Sequence, residues 1–346
     1  MAETYISMRQ FAKMAGVSPA TVSHVFSNPE SVAKDTVKHV LELAEHVGFS
    51  PNLVAKAAFG EPTRSVGVLL SSLSDRYFGG IAAGMQAALI RAGYLPIFIA
   101  GTSAPEESQI RLLKHKVDAL VIGCSDEHLN IPSICMKQMA RMPVVVIEQL
   151  RPGLWCDSVL NDDFDGGLQA GRHLAELGHR RFGVCIYGES ASNSLFRLNG
   201  FRTAIEQSGG ELPEEFVTRL DFHCSESDAG RKLTEELIAI LRRPDAPTAF
   251  FATTDYLALR VYDAARALKL RIPQELSIVG FGDLQFGSYI SPALTTVRQD
   301  PETIGRKTAE LVLNRLQEPR RAIEEIRVPV QLIVRESTAK REGGKR

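Results

Sequence analysis

A run of small and hydrogen-bonding side chains, Ser18, Pro19, Ala20, Thr21, Ser23 and His24, is threaded between the apolar residues Val22, Val25 and Phe26. At helical spacing the apolar set shares one face and the others point elsewhere. Hydroxyls, an imidazole and small side chains on a rod narrow enough for the major groove can read base edges. The same pattern also builds a three-helix module with no DNA partner, and residue types alone leave that alternative open. No other chemistry finds a constellation. The chain has no Gly-x-Gly-x-x-Gly, Walker A, His-Glu-x-x-His or Gly-x-Ser-x-Gly motif. Ser31-x-x-Lys34 fits a β-lactamase-type pattern, but so short a motif arises by chance. The eight histidines lack metal-ligand spacing, and the five cysteines (124, 135, 156, 185, 224) include no Cys-x-x-Cys. No enzyme activity, metal or cofactor is expected, and the cysteines read as buried thiols.

The elements that must position this rod are legible around it. Ser7-x-x-Gln10 fits a capping box, and Met8, Phe11, Ala12 and Ala15 then build an apolar face. Gly16 suits a left-handed helix end, and Ser18-Pro19 restarts a helix with an N-cap and a proline at the first turn. A longer helix follows, with Val37, Val40, Leu41, Ala44 and Val47 expected on one side. Two short helices joined by a tight turn and backed by a third form a helix-turn-helix. Residues 1–60 carry five basic and five acidic side chains. A DNA-binding module without positive excess is expected to show modest non-specific affinity and a shallow salt dependence.

Beyond residue 60 the pattern changes. The chain has 346 residues, which suggests about two domains at ~150 residues each. Its 44% hydrophobic and 23% charged residues and net charge of -1 exclude global disorder and advertise no nucleic-acid or membrane field. No apolar stretch approaches the ~20 residues of a membrane span, and the first 30 residues hold no signal core, so a cytoplasmic protein is expected. Strands are predicted at 66–70, 95–100, 119–123, 144–147, 182–186, 248–252 and 277–281. Helices are predicted at 78–92, 105–116, 131–141, 163–178, 194–208, 225–242 and 254–268. The fold class is therefore α/β: an all-α headpiece followed by two doubly wound parallel-sheet lobes, with a break near 149–162. A small molecule between such lobes would meet the carboxyl ends of the strands. The basic tail from 335 is expected to fray.

These residues resemble the lactose-repressor/galactose-repressor (LacI/GalR) family of bacterial regulators. VSPATVSHVFSNPESVAKDTVKHVLELAEHVGFSPNLVAKAA at 17–58 is similar to its headpiece almost position by position. The likeness continues through RSVGVLL at 64–70, HLAELGHRRFGV at 173–184, RLNGF at 197–201, PQELSIVGF at 273–281 and PALTTVRQD at 292–300. TVSHV at 21–25 looks most like purine-repressor-type members. The resemblance implies a headpiece (1–50), a hinge (51–63), a first lobe (64–161 with 298–324), a second lobe (162–297 with 325–340) and a short tail, with a periplasmic-binding-protein-like core. It implies a homodimer on near-palindromic operator DNA, governed by a small effector, most simply as a repressor.

Carried over residue by residue, the resemblance puts Pro19, Ala20 and His24 at bases, and Ser18, Thr21 and Ser23 near phosphates. In the hinge it adds Asn52, Lys56 and Ala58. Ala58 stands where the family has a leucine wedge, which implies a less bent operator, and Phe59 is one residue round the helix. For the effector it points to Tyr77, Phe78, Glu148, Asn193, Arg197, Phe222, Asp255 and Asp283. Gly282 replaces a ligand-facing Asp, and Ala191 replaces the Arg of purine-binding members. That favours a sugar, or a sugar acid such as gluconate, over a purine. The alternatives are a purine-responsive repressor or a cytosolic sugar-binding protein without operator binding.

Overall fold

The computed structural model describes residues 6–49, 62–100, 110, 113, 116–123, 142–148, 156–188, 192–220 and 226–341. The chain forms two compact units, residues 1–65 with 110–118, and residues 66–109 with 119–346.

The first unit contains the headpiece. Helix α1 (Met8–Met14) opens on a reciprocal capping box: Gln10 N–H donates to Ser7 Oγ at 3.4 Å, and Ser7 N–H donates to Gln10 Oε1 at 2.9 Å. Gly16, at φ 67°, makes the turn into α2 (Pro19–Ser27). Helix α3 (Lys34–Val47) ends at Gly48, again left-handed. Phe11, Ala12, Ala15, Val22, Val25, Val40 and Ala44 are buried together, and Phe49 stacks on Phe11 with ring centroids 3.9 Å apart. Leu41, expected on the inner side of α3, is exposed, and Leu43 packs instead. Both leucines flank the Val40–Ala44 stripe at similar angles, and α1 and α2 cover only the Leu43 edge.

The second unit holds two six-stranded sheets. The first takes β1 (Ser65–Leu70), β2 (Leu95–Ala100), β3 (Ala119–Gly123), β4 (Val144–Ile147), β5 (Asp157–Asn161) and β11 (Glu325–Val328). Their order is β11-β5-β4-β3-β1-β2. The second takes β6 (Phe182–Tyr187), β7 (Val217–Leu220), β8 (Ala249–Ala252), β9 (Ser277–Gly282), β10 (Thr295–Arg298) and β12 (Gln331–Ile333). Their order is β12-β10-β9-β8-β6-β7, with β12 antiparallel to β10. Helices α4 (Arg76–Arg91) and α9 (Pro301–Gln317) pack on the first sheet. Helices α5 (Asp163–Glu176), α6 (Ser192–Gln207), α7 (Glu226–Leu241) and α8 (Asp255–Ala267) pack on the second. VVVI at 144–147 and AFFA at 249–252 are buried along their whole length, as strands covered on both faces must be.

Three expectations change. Residues 157–161, placed in a break, form β5, a strand inside the first sheet. Its DSVLN sequence hides this because Asp157 is satisfied from outside the strand. It accepts from Arg315 Nε at 2.9 Å and Nη2 at 2.8 Å, and from Glu324 N–H at 2.9 Å. Strand β11, assigned to the second lobe with 325–340, pairs with β5 in the first sheet, so the return to the second sheet falls between Val328 and Gln331. The tail does not fray at 335. Ser337 is fully buried and donates to Ile278 O at 2.6 Å, and Arg341 N–H donates to Leu177 O at 2.7 Å.

One crossing positions the site. Helices α5 and α6 meet backbone to backbone at two glycines. A Cβ on Gly167 would lie 2.0 Å from Arg197 O, and one on Gly200 would lie 1.9 Å from Phe164 O. Gly167→Ala is expected to force the helices apart and to cost about 1–3 kcal/mol, the usual range for overpacking. Denaturant unfolding of the variant checks this, and a wild-type midpoint would show that the crossing tolerates a methyl group.

Candidate functional site

In the headpiece, Ser18 caps α2 by accepting from Thr21 N–H at 3.0 Å, and its hydroxyl pairs with that of Thr21 at 2.8 Å. Val22 and Val25 point inward, which leaves Ser18, Pro19, Ala20 and His24 exposed and Thr21 and Ser23 half-buried. Neither α1 nor α2 has an acidic residue in its first turn. The helix dipole there favours negative charge, which works against the missing positive excess. Asn52, Lys56, Ala58 and Phe59 lie outside the described residues, as do Ala191 and Phe222.

In the second unit, Glu148, Leu160, Asn161, Asp163, Asn193, Phe196 and Arg327 line a narrow recess, part of it open to solvent. It sits where the chain passes from the first sheet to the second, at the end of β5 and the start of α5. Glu148 ends β4 with a left-handed backbone, φ 60°, which turns its carboxylate across the end of β5. Its Oε1 accepts from Asn161 N–H and Asn161 Nδ2, both at 3.0 Å. Asn161 Nδ2 also donates to Tyr77 Oη at 2.6 Å. Both amide protons are thereby used, and Asn161 Oδ1 faces the other way. Glu148 Oε2 and Asn161 Oδ1 are buried with no protein partner. Such orphans are rare and call for a donor from outside the chain.

Arg197 does not line the recess. It is 4% exposed, donates from Nε to Asp163 Oδ1 at 2.7 Å and from Nη1 to Thr253 O at 2.7 Å, and lies 3.8 Å over the Phe281 ring. Asp163 stands between it and the recess. Burial pushes the Asp163 carboxyl up, against the pull of Arg197. Burial and then the Glu148 charge push the Tyr77 phenol well up, so it stays protonated. Phe78 packs on the first-lobe core, edge-on to Tyr77 at 5.5 Å.

The remaining acidic positions serve the scaffold. Asp255 is fully buried, accepting from Thr296 Oγ1 at 2.6 Å and Leu284 N–H at 2.7 Å. Asp283 pairs with Arg298 at 2.6 Å and Arg335 at 2.5 Å. The structure thus brings Tyr77, Glu148 and Asn193 to one place, sets Arg197 behind Asp163, and holds Asp255 and Asp283 on other partners outside the recess lining. Sequence reasoning missed Asn161, Asp163, Phe196 and Arg327. The signal was Asn161-Asp162-Asp163 at a strand-to-helix junction: one carboxylate suffices as the cap, here Asp162, which accepts from Asp165 N–H at 3.1 Å.

Glu148 keeps its proton up to about pH 7, because burial penalises the charge and Asp163 repels it. Unfolded, it ionises near 4.5. Folding therefore takes up a proton between those values, and this contribution to stability is lost as pH rises through about 7. Asp255, raised to about 6 by burial, adds to the same fall mainly at lower pH. His179, lowered to about 4 by burial, and His173, also lowered by burial, act oppositely up to about the ordinary histidine value of 6.5. The Glu148 contribution is therefore expected to fall between about pH 4.5 and 7 and to level off above, and Glu148→Gln to lack this fall. Urea unfolding across that window checks this, and an unchanged slope in the variant would assign the proton elsewhere.

Among the described residues, no group of His, Cys, Asp and Glu is arranged to hold a metal ion, and no helix is long and apolar enough to cross a membrane. The profile of the bacterial regulatory proteins of the lacI family matches residues 7–52, and that of the periplasmic binding protein-like domain matches residues 172–338. The HTH-type transcriptional repressor PurR of Klebsiella pneumoniae strain 342 is 30% identical over 337 residues, covering 96% of this chain and 97% of its own. PurR of Escherichia coli strain SMS-3-5 matches to the same extent, 30% over 337 residues, with 96% and 97% covered. Among solved structures, a complex of the transcriptional regulator CelR with cellobiose has a TM-score of 0.71 at 28% identity, covering 96% of this chain and 99% of its own. A LacI-family regulator from Enterococcus faecium with bound ribose has a TM-score of 0.67 at 30% identity, covering 80% and 100%. The operator-bound Lac repressor dimer, with a TM-score of 0.81 at 22% identity over 96% and 99%, shares the fold. Relatives this similar along nearly the whole chain, and a headpiece that matches on its own, show that the protein belongs to the LacI family of bacterial regulators and is a DNA-binding transcriptional regulator rather than an enzyme.

Proposed function

We propose that the protein is an operator-binding repressor, a homodimer on near-palindromic sites, whose DNA affinity is set by a small polyhydroxylated metabolite held in the recess between its lobes. The observation that carries the reading is the outward face of α2, with Pro19, Ala20 and His24 exposed while Val22 and Val25 anchor the helix from behind. His24 meets a purine edge, which an imidazole can approach as donor or acceptor. Ser18, Thr21, Ser23 and the Ala20 amide hold phosphates. Asn52, Lys56 and Ala58 extend the interface through the hinge. Ala58 is too small to unstack a base step, so recognition rests more on α2 than on bending.

The effector reading is supported by the two orphan acceptors beside the chain crossing. A ligand donating to Glu148 Oε2 and Asn161 Oδ1 on the first lobe, and touching Asn193 and Phe196 on the second, bridges both. Contacts that differ between two lobe arrangements are what let a ligand shift an equilibrium. Tyr77 holds the Asn161 amide in place, and Phe78 packs edge-on to Tyr77. Arg197 shapes the site through Asp163, while Asp255 and Asp283 brace the framework of the second lobe. The relatives' names do not choose the ligand, since PurR and a ribose-bound regulator are equally similar to this chain.

Gel shifts with genomic promoter fragments test the operator reading. His24→Ala is expected to lose about 1–3 kcal/mol of discrimination at one base pair of each half-site, the worth of a good base contact, while sparing non-specific binding. Unaltered preference would remove His24 from the readout. Asn161→Ala is expected to abolish the effector's influence on the gel shift and leave operator affinity in place. Retained effector response would move the ligand elsewhere.

A further inference from the structure

We propose that Asp163 is a built-in counter-anion: its carboxylate fills the place on Arg197 that an acidic effector would take, and so makes the recess selective for a neutral polyol over the corresponding sugar acid. The inference rests on the effector reading above and names the class of molecule that site accepts.

Four observations carry it. First, Arg197 is 4% exposed and absent from the lining, whereas Asp163 is part of the lining. The recess shows its occupant a carboxylate where a guanidinium had been expected. Second, the guanidinium is already shared out, with Nε on Asp163, Nη1 on the Thr253 carbonyl and one face on Phe281. A side-on bidentate grip on a ligand carboxylate needs the parallel N–H groups of Nε and Nη2. Asp163 closes that edge by holding Nε–H, and the Thr253 carbonyl occupies part of the Nη1 side. Third, the buried polar atoms without a partner are Asn161 Oδ1, an acceptor in any state, and Glu148 Oε2, which accepts when ionised and carries the proton when neutral. A hydroxyl can pair with both, whereas a carboxylate finds no donor at Asn161 Oδ1 and is repelled by ionised Glu148. Fourth, the other cation on the lining, Arg327, has its Nε held by Glu325 Oε1 at 2.8 Å and is 41% exposed, so water screens what remains of its charge.

The neutral choice over a cationic amine follows from the same count. Asp163 is matched by Arg197, and Glu148 is half-protonated near pH 7. No full negative charge is left over for an ammonium. Phe196 and Leu160 supply apolar surface against which the C–H face of a sugar ring can lie.

Two measurements on the full chain test this. Asp163→Ala removes the carboxylate but keeps Cβ, leaving a gap of formate size against a buried cation. Sodium formate, compared with sodium chloride at equal ionic strength, is expected to raise the melting temperature of this variant saturably. It should leave the wild type and Asp163→Ala/Arg197→Met unmoved. If the alanine variant does not fold, the isosteric Asp163→Asn serves for the second measurement. There, D-ribose, D-glucose and D-galactose are titrated calorimetrically beside D-ribonate, D-gluconate and D-galactonate. At least one neutral sugar is expected to bind the wild type tenfold or more tighter than its acid, and Asp163→Asn to shift that ratio tenfold or more toward the acid. Absence of formate rescue in the folded alanine variant, an acid that binds the wild type as tightly as its sugar, an unchanged ratio in Asp163→Asn, or binding by none of the six would each overturn the assignment. Failure of the regulator reading shows separately, as no operator complex in gel shifts while formate rescue persists.

Discussion

Burying the Arg197 guanidinium and the Asp163 carboxylate 2.7 Å apart sets the terms for the rest of the core. Each ion alone would cost several kcal/mol to remove from water, and either partner left single would be strongly destabilising. The pair is tolerated because α5 and α6 cross so closely that the two side chains need no adjustment to meet. That closeness requires Gly167 and Gly200, since any Cβ at either position would overlap the other helix's backbone. The chemistry of the recess thus descends from two hydrogen atoms in place of side chains.

With that pair closed on itself, the charges left facing the recess are those of Arg327, half exposed and held by Glu325, and of Glu148, which burial holds half-neutral near pH 7. The site is therefore polar without being strongly charged. Its directional demands come from Glu148 Oε2 and Asn161 Oδ1, each fixed by bonds made elsewhere on the same group. Asn161 and Asp163 flank the first passage between sheets, and Arg327 precedes the third. The recess lining thus belongs in part to the segments that join the two sheets.

The headpiece solves a different problem. The five basic and five acidic residues of 1–60, headpiece and first part of the hinge, supply no net attraction for a polyanion. Affinity must come from oriented amides, exposed hydroxyls and fit, all of which depend on a rigid three-helix core. The Phe11–Phe49 stack and the glycine turns at 16 and 48 provide that rigidity. A neutral module with a firm scaffold gives up non-specific affinity and keeps directional contacts, which carry sequence information.

Much of this was legible in the order of residues. Ser7-x-x-Gln10, Gly16 and Ser18-Pro19 are local rules, each satisfied within four residues, and they delivered α1 and α2 with their exposed face. Apolar runs such as 119–123 and 144–147 marked strands because a strand buried on both faces must be apolar throughout. Where long-range partners pay the desolvation cost, the pattern misled. Asp157 sits inside a central strand because Arg315, far along the chain, satisfies it. Leu41 and Leu43 are equivalent on a helical wheel, and only packing separates them. Arg197 looked like a free receptor because nothing local reveals that Asp163, thirty-four residues earlier, has taken it. Capping, turns and periodicity are short-range and written in sequence; which charges neutralise each other is decided only when helices cross, since charge pairing depends on distance in space.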